Sequence, residues 1–408
     1  ESTINHPLIE ADDAQRMLGA IEQLGATVVR SANSVTITGT GGKLVVDPEN
    51  PTIDLNNAGT ATRFLSAAAL LADSPLTITG NERMQQRPIR ELVDLLTTLG
   101  AKVEYLKTEG CPPIRITPPG DLSSMPGTVE ILPTQSSQFV SALMLIAPFL
   151  PNGLTLTQPK GVTSASYVRM TLELLDHLGV HTQHAGDLAV IRIKRGMNRF
   201  VLDIEPDASG ATYWWAAGAL LPDTTIRVEG IALDASQQGD AQFPLLLERM
   251  GCTLVTGERT LACRGTNNLI PIICDMRDMP DAVMSLAAVA CFASGTTIIR
   301  GVKTLRVKEC DRIEAMKVEL GKIGVVVTDN LNGDEDTLSI TPLQNWGELA
   351  GGAPILMETY DDHRMAMSLS LLALRLPNIV INDPACIAKT YPSFFQDLGR
   401  VYDPNEHI

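Results

Sequence analysis

Two acidic residues stand where a catalytic acid or base could act. Asp281 precedes the apolar part of DMPDAVMSL, and Glu309 follows Lys308 in RVKECDR. A carboxylate tuned by burial and by neighbouring cations can take a proton from a hydroxyl group or pass one to carbon. The simpler alternatives are a helix N-cap for Asp281 and a weak surface ion pair for Glu309. The residues themselves leave both alternatives open.

Several basic residues stand at predicted helix entrances. They are Arg87, Lys308, Arg312, Arg364 and Lys389. Taken singly, each could be a solvated or salt-bridged surface residue. Together they place one or two cations at equivalent points of the chain, which is what a ligand with phosphate and carboxylate groups requires.

Small hydrogen-bonding residues begin three apolar helical segments. They are residues 57–60 (NAGT), 136–138 (SSQ) and 208–210 (ASG). Free backbone N–H groups and the helix dipole make such helix ends natural anion sites, and small side chains let a ligand approach. Ordinary N-capping is the alternative for any one of them. Their repetition in one chain favours an anion site.

The elements that carry these residues recur along the chain. Five helices that are apolar on all sides, as buried helices are, are predicted to begin near Asn57, Ser136, Ser209, Asp281 and Asp362. Amphipathic helices are predicted to begin near Asp12, Arg87, Ser166, Asp240, Asp311 and Tyr391. Extended segments lie between them, which gives a β-α-β-α-β-β unit that repeats about every 76 residues. We expect two domains of three units each, residues 1–205 and 206–408.

The first of these units starts without its buried helix. We therefore expect an N-terminally truncated chain that lacks about 30 to 40 residues, a number estimated from the repeat period plus a leading strand. A barrel without one buried helix is expected to be less stable, and the chain as it stands to be poorly active.

Composition excludes several classes of protein. With 408 residues and a net charge of −15, the chain has no general surface for nucleic acid. No apolar run is long enough to span a membrane. Seven scattered Cys without a CxxC pair, and six His without metal-ligand spacing, predict no metal site and a reducing, cytoplasmic location.

Nine segments in order resemble the EPSP synthase branch of the enolpyruvyltransferase family. They are NNAGTATRFL, NERMQQRPIRELVDLL, QSSQFVSALMLIAP, DASGATYWWAA, QQGDAQF, DMPDAVM, RVKECDR, YDDHRMAMSLSLLAL and AKTYPSFF. The resemblance implies an α/β fold with two inside-out α/β barrel domains, each built of three β-α-β-α-β-β units, the first incomplete here. It also implies a monomer.

The resemblance implies a reaction without metal or organic cofactor. The enolpyruvyl group of phosphoenolpyruvate passes to the 5-hydroxyl of shikimate 3-phosphate through a tetrahedral intermediate, and phosphate is released. This step belongs to the shikimate pathway, which supplies chorismate and the aromatic amino acids. Positioned cations and acid–base groups would supply the catalysis.

Residue roles follow from the same resemblance. The implied phosphoenolpyruvate ligands are Gly59, Arg87, Arg312, Arg364 and Lys389. The implied shikimate 3-phosphate ligands are Ser136, Ser137, Gln138, Ser164, Tyr167, Asp281 and Lys308. Asp281 matches the candidate base for the hydroxyl, and Glu309 matches the candidate for proton transfer at the methylene carbon. Gly59 is the small residue associated with sensitivity to glyphosate, so we expect sensitivity.

The chain departs from the family pattern in three places. Residues 164–167 read SASY where the family usually has Ser-Lys-Pro-Tyr, which keeps the two polar contacts but changes the loop. Thr304 stands near the position of an Asn that commonly touches the substrate hydroxyls. The Gly-Ser-Lys-Ser segment of the first buried helix does not occur in the sequence.

Three alternatives remain beside this interpretation. UDP-N-acetylglucosamine enolpyruvyltransferases use a loop Cys near the third repeat, and no Cys lies between Cys111 and Cys252. A catalytically inactive phosphate-binding relative has no evident reason to keep all the charged residues above. A pure interaction scaffold would carry its charges on outer faces rather than at helix entrances.

Overall fold

The chain divides after Ile204 into two compact units, called unit 1 and unit 2 below. The computed structural model describes residues 1–343 and 346–402. Each unit has its own hydrophobic core. Within the described ranges, no helix has the length and apolar character needed to cross a membrane.

Unit 1 contains twelve described strands and five α-helices. The strands are β1 Ser2–Asn5, β2 Thr27–Arg30, β3 Ser34–Thr38, β4 Thr52–Asp54, β5 Leu76–Thr79, β6 Lys102–Tyr105, β7 Ile114–Thr117, β8 Thr128–Glu130, β9 Leu154–Thr157, β10 Thr182–His184, β11 Val190–Ile193 and β12 Val201–Asp203. The helices are α1 Asp12–Gln23, α2 Gly59–Ala68, α3 Arg90–Thr98, α4 Gln138–Ile146 and α5 Ala165–His177.

Three four-stranded sheets of unit 1 share one topology. Their strand orders are β12-β1-β3-β2, β4-β5-β7-β6 and β8-β9-β11-β10. In each sheet the first two strands are parallel and the remaining pairs are antiparallel. A buried helix connects β4 to β5 and another connects β8 to β9, as parallel strands require a crossover. In the first sheet, the parallel partner of β1 comes from the other end of the unit.

Unit 2 contains nine described strands and seven α-helices. The strands are β13 Thr225–Glu229, β14 Thr253–Gly257, β15 Thr260–Arg264, β16 Ile273–Asp275, β17 Thr297–Arg300, β18 Val326–Leu331, β19 Asp334–Thr341, β20 Ile355–Met357 and β21 Ile379–Ile381. The helices are α6 Ala208–Leu220, α7 Phe243–Arg249, α8 Val283–Ala290, α9 Arg312–Gly321, α10 Gly347–Ala350, α11 His363–Ser370 and α12 Phe394–Tyr402. The described sheets are β13-β15-β14, β16-β17-β19-β18 and β20-β21.

Local sequence explains why these elements form. In β5 and β9, Leu and Ile at alternate positions are buried while the Thr residues between them are half-buried, as a period of two residues requires. The helices α2, α4, α6 and α8 are rich in Ala and other small or apolar residues and are buried on nearly all sides. Gly25 and Gly100 end α1 and α3 in the left-handed region, which glycine adopts without steric cost.

Helices occupy the inside of each unit. In unit 1, α2 packs against α4, and in unit 2, α8 packs against α6 and α11. The amphipathic helices lie between the buried layer and the surface, with buried residues on one face only. This confirms the predicted α/β fold, with buried helices on the inside of each unit.

Candidate active site

Arg312 is the centre of a charged cluster in unit 2. Its side chain is 1% exposed. Its Nε donates to Oδ2 of Asp362 at 2.8 Å, Nη1 donates to Oδ1 of Asp281 at 2.9 Å, and Nη2 donates to Oε2 of Glu309 at 2.8 Å. Burial opposes the charge, but these three carboxylates raise the pKa of the guanidinium above its ordinary value. One arginine fork therefore joins the three acids of the site.

Asp281 contacts cations rather than capping a helix. It lies inside a 3₁₀ turn, Pro280–Ala282, and is not the residue that begins α8. Besides Arg312, its carboxylate approaches Lys308 Nζ at 3.4 Å and Arg364 Nη2 at 3.2 Å. Burial alone would raise the pKa of Asp281, but Arg364, Lys308 and Arg312 hold it well below its usual value. Asp281 is therefore an ionised carboxylate surrounded by positive charge.

Glu309 links Arg312 to Lys389. The Nζ of Lys389 lies 3.4 Å from Oε1 of Glu309, and both side chains are about nine-tenths buried. The surface ion pair considered for Glu309 from the sequence is therefore wrong. The charged groups of this cluster are the cations Lys308, Arg312, Arg364 and Lys389 and the carboxylates Asp281, Glu309 and Asp362. Four cations thus stand together among these carboxylates, and such a local group of cations suits an anionic ligand.

The structure adds members to the cluster that residue types alone did not single out. Asp362 is fully buried, accepts from Arg312 and caps α11 by accepting from the Arg364 N–H at 2.9 Å. Tyr213 on α6 accepts from Nη1 of Arg364 at 3.3 Å. An Asp immediately before a basic helix start was the available signal for Asp362. Tyr213 gave no such signal, because it lies in the middle of an apolar helix.

Two buried titratable groups border the cluster. Burial, together with Asp281, raises the pKa of Asp240 to about 7. Burial, together with Lys389 and Arg364, lowers the pKa of His363 to about 3, so its imidazole is neutral. Neither the Oδ1 of Asp240 nor the ring nitrogens of His363 have a hydrogen-bond partner in the described part of the chain.

Gly59 and Arg87 meet in unit 1. Gly59 begins α2, and Arg87 follows a 3₁₀ turn, Met84–Gln86, with only 5% of its surface exposed. A Cβ atom on Gly59 would lie 2.8 Å from Nη2 and 2.9 Å from Nη1 of Arg87. The Nη1 group also donates to the side-chain oxygen of Asn57 at 3.3 Å. The guanidinium is thus packed directly over the N-terminus of a buried helix.

Arg63 is a residue of this region that the sequence did not single out. It is 3% exposed, and Nη1 donates to the Gly59 carbonyl at 3.2 Å and to Sδ of Met84 at 3.3 Å. Nη2 donates to the Pro88 carbonyl at 3.1 Å. Arg63 therefore ties the segment that carries Arg87 to α2. An Arg four residues into an apolar helix was the only signal for it.

The serine segment lies at the start of α4, next to α2. The backbone N–H of Gln138 donates to Oγ of Ser136 at 3.2 Å, and its Nε2 donates to Oγ1 of Thr60 at 2.9 Å. Ser137 is buried. The first turns of α2 and α4 are therefore joined by one side-chain hydrogen bond.

Ser164 and Tyr167 lie at the start of α5. Ser164 adopts a left-handed conformation with φ of 47°, and the Tyr167 N–H donates to its carbonyl at 3.2 Å. The Thr163 hydroxyl donates to the Thr134 carbonyl at 2.6 Å, which joins this loop to the segment before Ser136. Within unit 1, the predicted ligands thus form a Gly59–Arg87 pair and a serine-rich pair of helix starts.

Metal binding has no candidate among the described residues. No three or more His, Cys, Asp or Glu side chains in residues 1–343 and 346–402 are grouped so that they could hold a metal ion. The carboxylates of the unit 2 cluster are instead paired with arginine and lysine.

Known proteins resemble this chain over nearly its whole length. The family model for EPSP synthase (3-phosphoshikimate 1-carboxyvinyltransferase) matches residues 1–398. The 3-phosphoshikimate 1-carboxyvinyltransferase of Citrobacter koseri is 38% identical over 99% of this chain and 91% of its own. That of Shewanella halifaxensis is 39% identical over 97% of this chain and 89% of its own.

Solved structures show the same fold. The EPSP synthase of Acinetobacter baumannii superposes with a TM-score of 0.73 at 23% identity, covering 98% of this chain and 89% of that one. The enolpyruvyl transferase NikO of Streptomyces tendae superposes with a TM-score of 0.70 at 19% identity, over the same shares of the two chains. With the fold, the charged cluster and these similarities in agreement, the chain belongs to the EPSP synthase family.

Proposed function

We propose that this protein transfers the enolpyruvyl group of phosphoenolpyruvate to the 5-hydroxyl of shikimate 3-phosphate and releases phosphate. The observation that carries the proposal is the Arg312-centred cluster, because it combines four cations with carboxylates suited to proton transfer. Membership of the EPSP synthase family selects the two substrates among the anions that such a cluster could accept.

The cations of the cluster and the Gly59–Arg87 pair would hold phosphoenolpyruvate. A bidentate guanidinium matches the geometry of carboxylate and phosphate groups. A glycine at the start of α2 lets a ligand approach the backbone N–H groups of the helix end. The proposed ligands of phosphoenolpyruvate are Gly59, Arg87, Arg312, Arg364 and Lys389.

Polar residues at helix starts would hold shikimate 3-phosphate. Hydroxyl and amide groups at the first turns of α4 and α5 can donate to phosphate oxygens and to ring hydroxyls. Asp281 and Lys308 would complete the set on the side of the reacting hydroxyl. The proposed ligands of shikimate 3-phosphate are Ser136, Ser137, Gln138, Ser164, Tyr167, Asp281 and Lys308.

Asp281 would accept the proton of the 5-hydroxyl as the oxygen attacks C2 of phosphoenolpyruvate. The cations around it hold its pKa low, which makes it a weak base in the free protein. When substrate anions pair with Arg364, Lys308 and Arg312, less of their positive charge acts on the carboxylate. Substrate binding would therefore raise the basicity of Asp281 where the proton must be taken.

Glu309 and Lys389 would move the proton at the methylene carbon. Addition needs a proton on C3 as the hydroxyl oxygen bonds to C2, giving a tetrahedral intermediate with a methyl group. Elimination removes a proton from that methyl group as the C2–O bond to phosphate breaks. The 3.4 Å pair of Glu309 and Lys389 provides an acid and a base side by side for these opposite transfers.

Phosphate release tests the proposal. The purified protein is incubated with phosphoenolpyruvate and either shikimate 3-phosphate, shikimate or UDP-N-acetylglucosamine. Release that requires shikimate 3-phosphate is expected. Release with UDP-N-acetylglucosamine instead would favour the other enolpyruvyl transfer, and binding without release would favour an inactive phosphate-binding relative.

We further propose that the protein acts as a cytoplasmic monomer. All seven cysteines are free thiols, which suits a reducing compartment. Sedimentation at equilibrium should give the mass of a single chain, and a mass of two or more chains would contradict the monomer. Cell fractionation should place the protein with the cytoplasmic markers.

A further inference from the structure

Glu319 is a fully buried carboxylate in the last turn and a half of α9, outside the charged cluster. Its side chain is 0% exposed. Oε1 accepts from the Tyr360 hydroxyl at 2.7 Å, and Oε2 accepts from Lys322 Nζ at 2.6 Å and from the Glu358 backbone N–H at 2.8 Å. Burial of an acid is costly unless its oxygens are paired in this way. Two of the three donors belong to the segment that leads into α11.

Glu319 and Arg312 face the same side of α9. They are seven residues apart, which is nearly two helical turns and about 10 Å along the axis. Arg312 binds the carboxylate of Asp362, while Glu319 binds Tyr360 and the backbone of Glu358. The helix therefore contacts one short segment, residues 358–362, at two separate points.

That segment has an unfavourable backbone. Tyr360 and Asp361 are consecutive non-glycine residues in the left-handed region, with φ of 58° and 53°. Such a conformation persists only where surrounding contacts hold it, and it is concentrated at functional sites. The bend ends at Asp362, which caps α11 and so fixes the direction in which Arg364 leaves the helix. Burial and Glu319 raise the pKa of Tyr360, so its hydroxyl keeps the proton that it donates.

We propose that Glu319 is a positioning residue for the anion-binding arginines. It holds the left-handed bend at Tyr360–Asp361, and the bend sets Asp362 beside Arg312 and Arg364 beside Asp281. Glu319 touches none of the cluster's charged side chains in the contacts described above, so it acts through the segment that it binds. This inference rests on the proposed function for its substrate assignment, but the bend itself can be tested without any activity.

The test compares three variants of the whole protein. Glu319→Gln keeps the side-chain volume but turns one acceptor oxygen into a donor, so one of its partners loses its acceptor. Tyr360→Phe removes a single hydrogen bond. Glu314→Gln is the matched control on the same helix, since its side chain is 57% exposed and pairs with Lys317.

Two measurements are made on each variant. Steady-state kinetics should show that Glu319→Gln raises the KM for phosphoenolpyruvate by about tenfold, with a smaller rise for Tyr360→Phe, while the KM for shikimate 3-phosphate stays within about twofold. Hydrogen exchange followed by mass spectrometry should show faster exchange of residues 358–364 in Glu319→Gln and unchanged exchange in Glu314→Gln.

The outcomes separate this inference from the proposed function. Wild-type exchange over residues 358–364 in Glu319→Gln would overturn the positioning role, whether or not the protein is active. A lower melting temperature with unchanged KM values would also overturn it, because a merely structural residue has that effect. Absence of phosphate release by the wild-type protein would contradict the proposed function, and the exchange result would then decide the role of Glu319.

Discussion

Gly59 has no Cβ atom, and a Cβ atom at this position would be in steric contact with Arg87. The would-be Cβ lies 2.8 to 3.1 Å from three guanidinium atoms, which is closer than normal packing allows. Its backbone is not in the left-handed region, so alanine costs nothing in conformation. The close contact is with the end of a flexible side chain, which can move. The substitution should therefore displace Arg87 rather than unfold the helix.

Gly59→Ala is expected to lower sensitivity to glyphosate and weaken phosphoenolpyruvate binding. Glyphosate should inhibit the wild-type protein. The variant should need at least about tenfold more glyphosate for the same inhibition, because its methyl group enters a close-fitting site. Gly19→Ala is the matched control, since nothing lies within 4 Å of a Cβ atom there. Inhibition curves measured with glyphosate test this prediction. A wild-type protein that glyphosate does not inhibit, or identical curves for Gly59→Ala and Gly19→Ala, would contradict it.

Asp240 and His363 make opposite contributions to stability as pH changes. The pKa of Asp240 is raised from 3.8 to about 7, so between these values the folded protein keeps a proton that the unfolded chain releases. Its contribution to the free energy of unfolding therefore falls as pH rises from about 4 to about 7. The pKa of His363 is lowered from 6.5 to about 3, so its contribution rises with pH between those values. The two effects partly cancel.

Asp240→Asn should remove the Asp240 effect on the free energy of unfolding and leave that of His363. In wild type, ionisation of the buried Asp240 carboxylate near Asp281 destabilises the folded protein at pH 8, and the variant has no such ionisation. The free energy of unfolding of the variant minus that of wild type should therefore be larger at pH 8 than at pH 5. The expected difference is about 2–3 kcal/mol, from the two pH units between 5 and 7. Urea unfolding at both pH values measures it. The exposed Asp234 offers a control in Asp234→Asn, and equal shifts for the two variants would be inconsistent with a raised pKa at Asp240.

Residue types singled out some members of the unit 2 cluster, but neither Asp362 and Tyr213 nor the way the members are connected. Asp281, Glu309 and Arg312 were singled out because acids and bases recur at helix entrances. The sequence could not tell an N-cap from an ion pair at Asp281, since both use the same carboxylate. Burial decides this, and burial depends on packing between segments far apart in the chain. The sequence did not single out Tyr213 and Arg63 either, because each lies in a helix whose sequence is mostly apolar and its contacts depend on packing.

At the scale of elements, α2 carries both the glycine and the arginine that organise its N-terminus. Arg63 stands one turn after Gly59 and reaches back to its carbonyl, while its other nitrogen reaches Pro88. The segment between Met84 and Pro88 carries Arg87. The helix thus fixes the position of a cation that does not belong to it.

Arg63→Met should loosen this connection. Two backbone carbonyls lose a charged donor in a buried place, which is expected to cost about 1–3 kcal/mol of stability. Arg87 should then be less well placed, so the KM for phosphoenolpyruvate should rise while that for shikimate 3-phosphate changes little. Arg90→Met is the control, because Arg90 pairs with Glu109 at the surface. A loss of stability with both KM values unchanged would contradict the role given to Arg63.

The order of elements was predictable because each type has its own signal. Apolar helices without a polar face, alternating strands and helices that end in glycine recur with one period, and the observed helices begin within a few residues of the predicted points. The pairing of β1 with β12 was not predictable. These strands are short and far apart in sequence, and their pairing depends on how the unit closes.

For the whole molecule, the positions of the cations matter more than the total charge. The chain carries −15 in total, yet four cations stand together in the cluster around Arg312. A buried positive focus in an acidic protein can attract small anions without attracting nucleic acid. The fold class followed from the repeat, whereas the reaction followed from resemblance to a family, because the same fold can serve different chemistry.

Enolpyruvyl transfer by addition and elimination can be tested through the hydrogen atoms of the product's methylene group. The protein is incubated in D₂O with phosphoenolpyruvate and shikimate 3-phosphate, and the product is followed by proton NMR. We predict an enolpyruvyl ether at the 5-hydroxyl with deuterium in its methylene group, because C3 passes through a methyl group in the intermediate. If no ether forms, or if its methylene group stays free of deuterium at partial conversion and after long incubation, the protein does not act by addition and elimination.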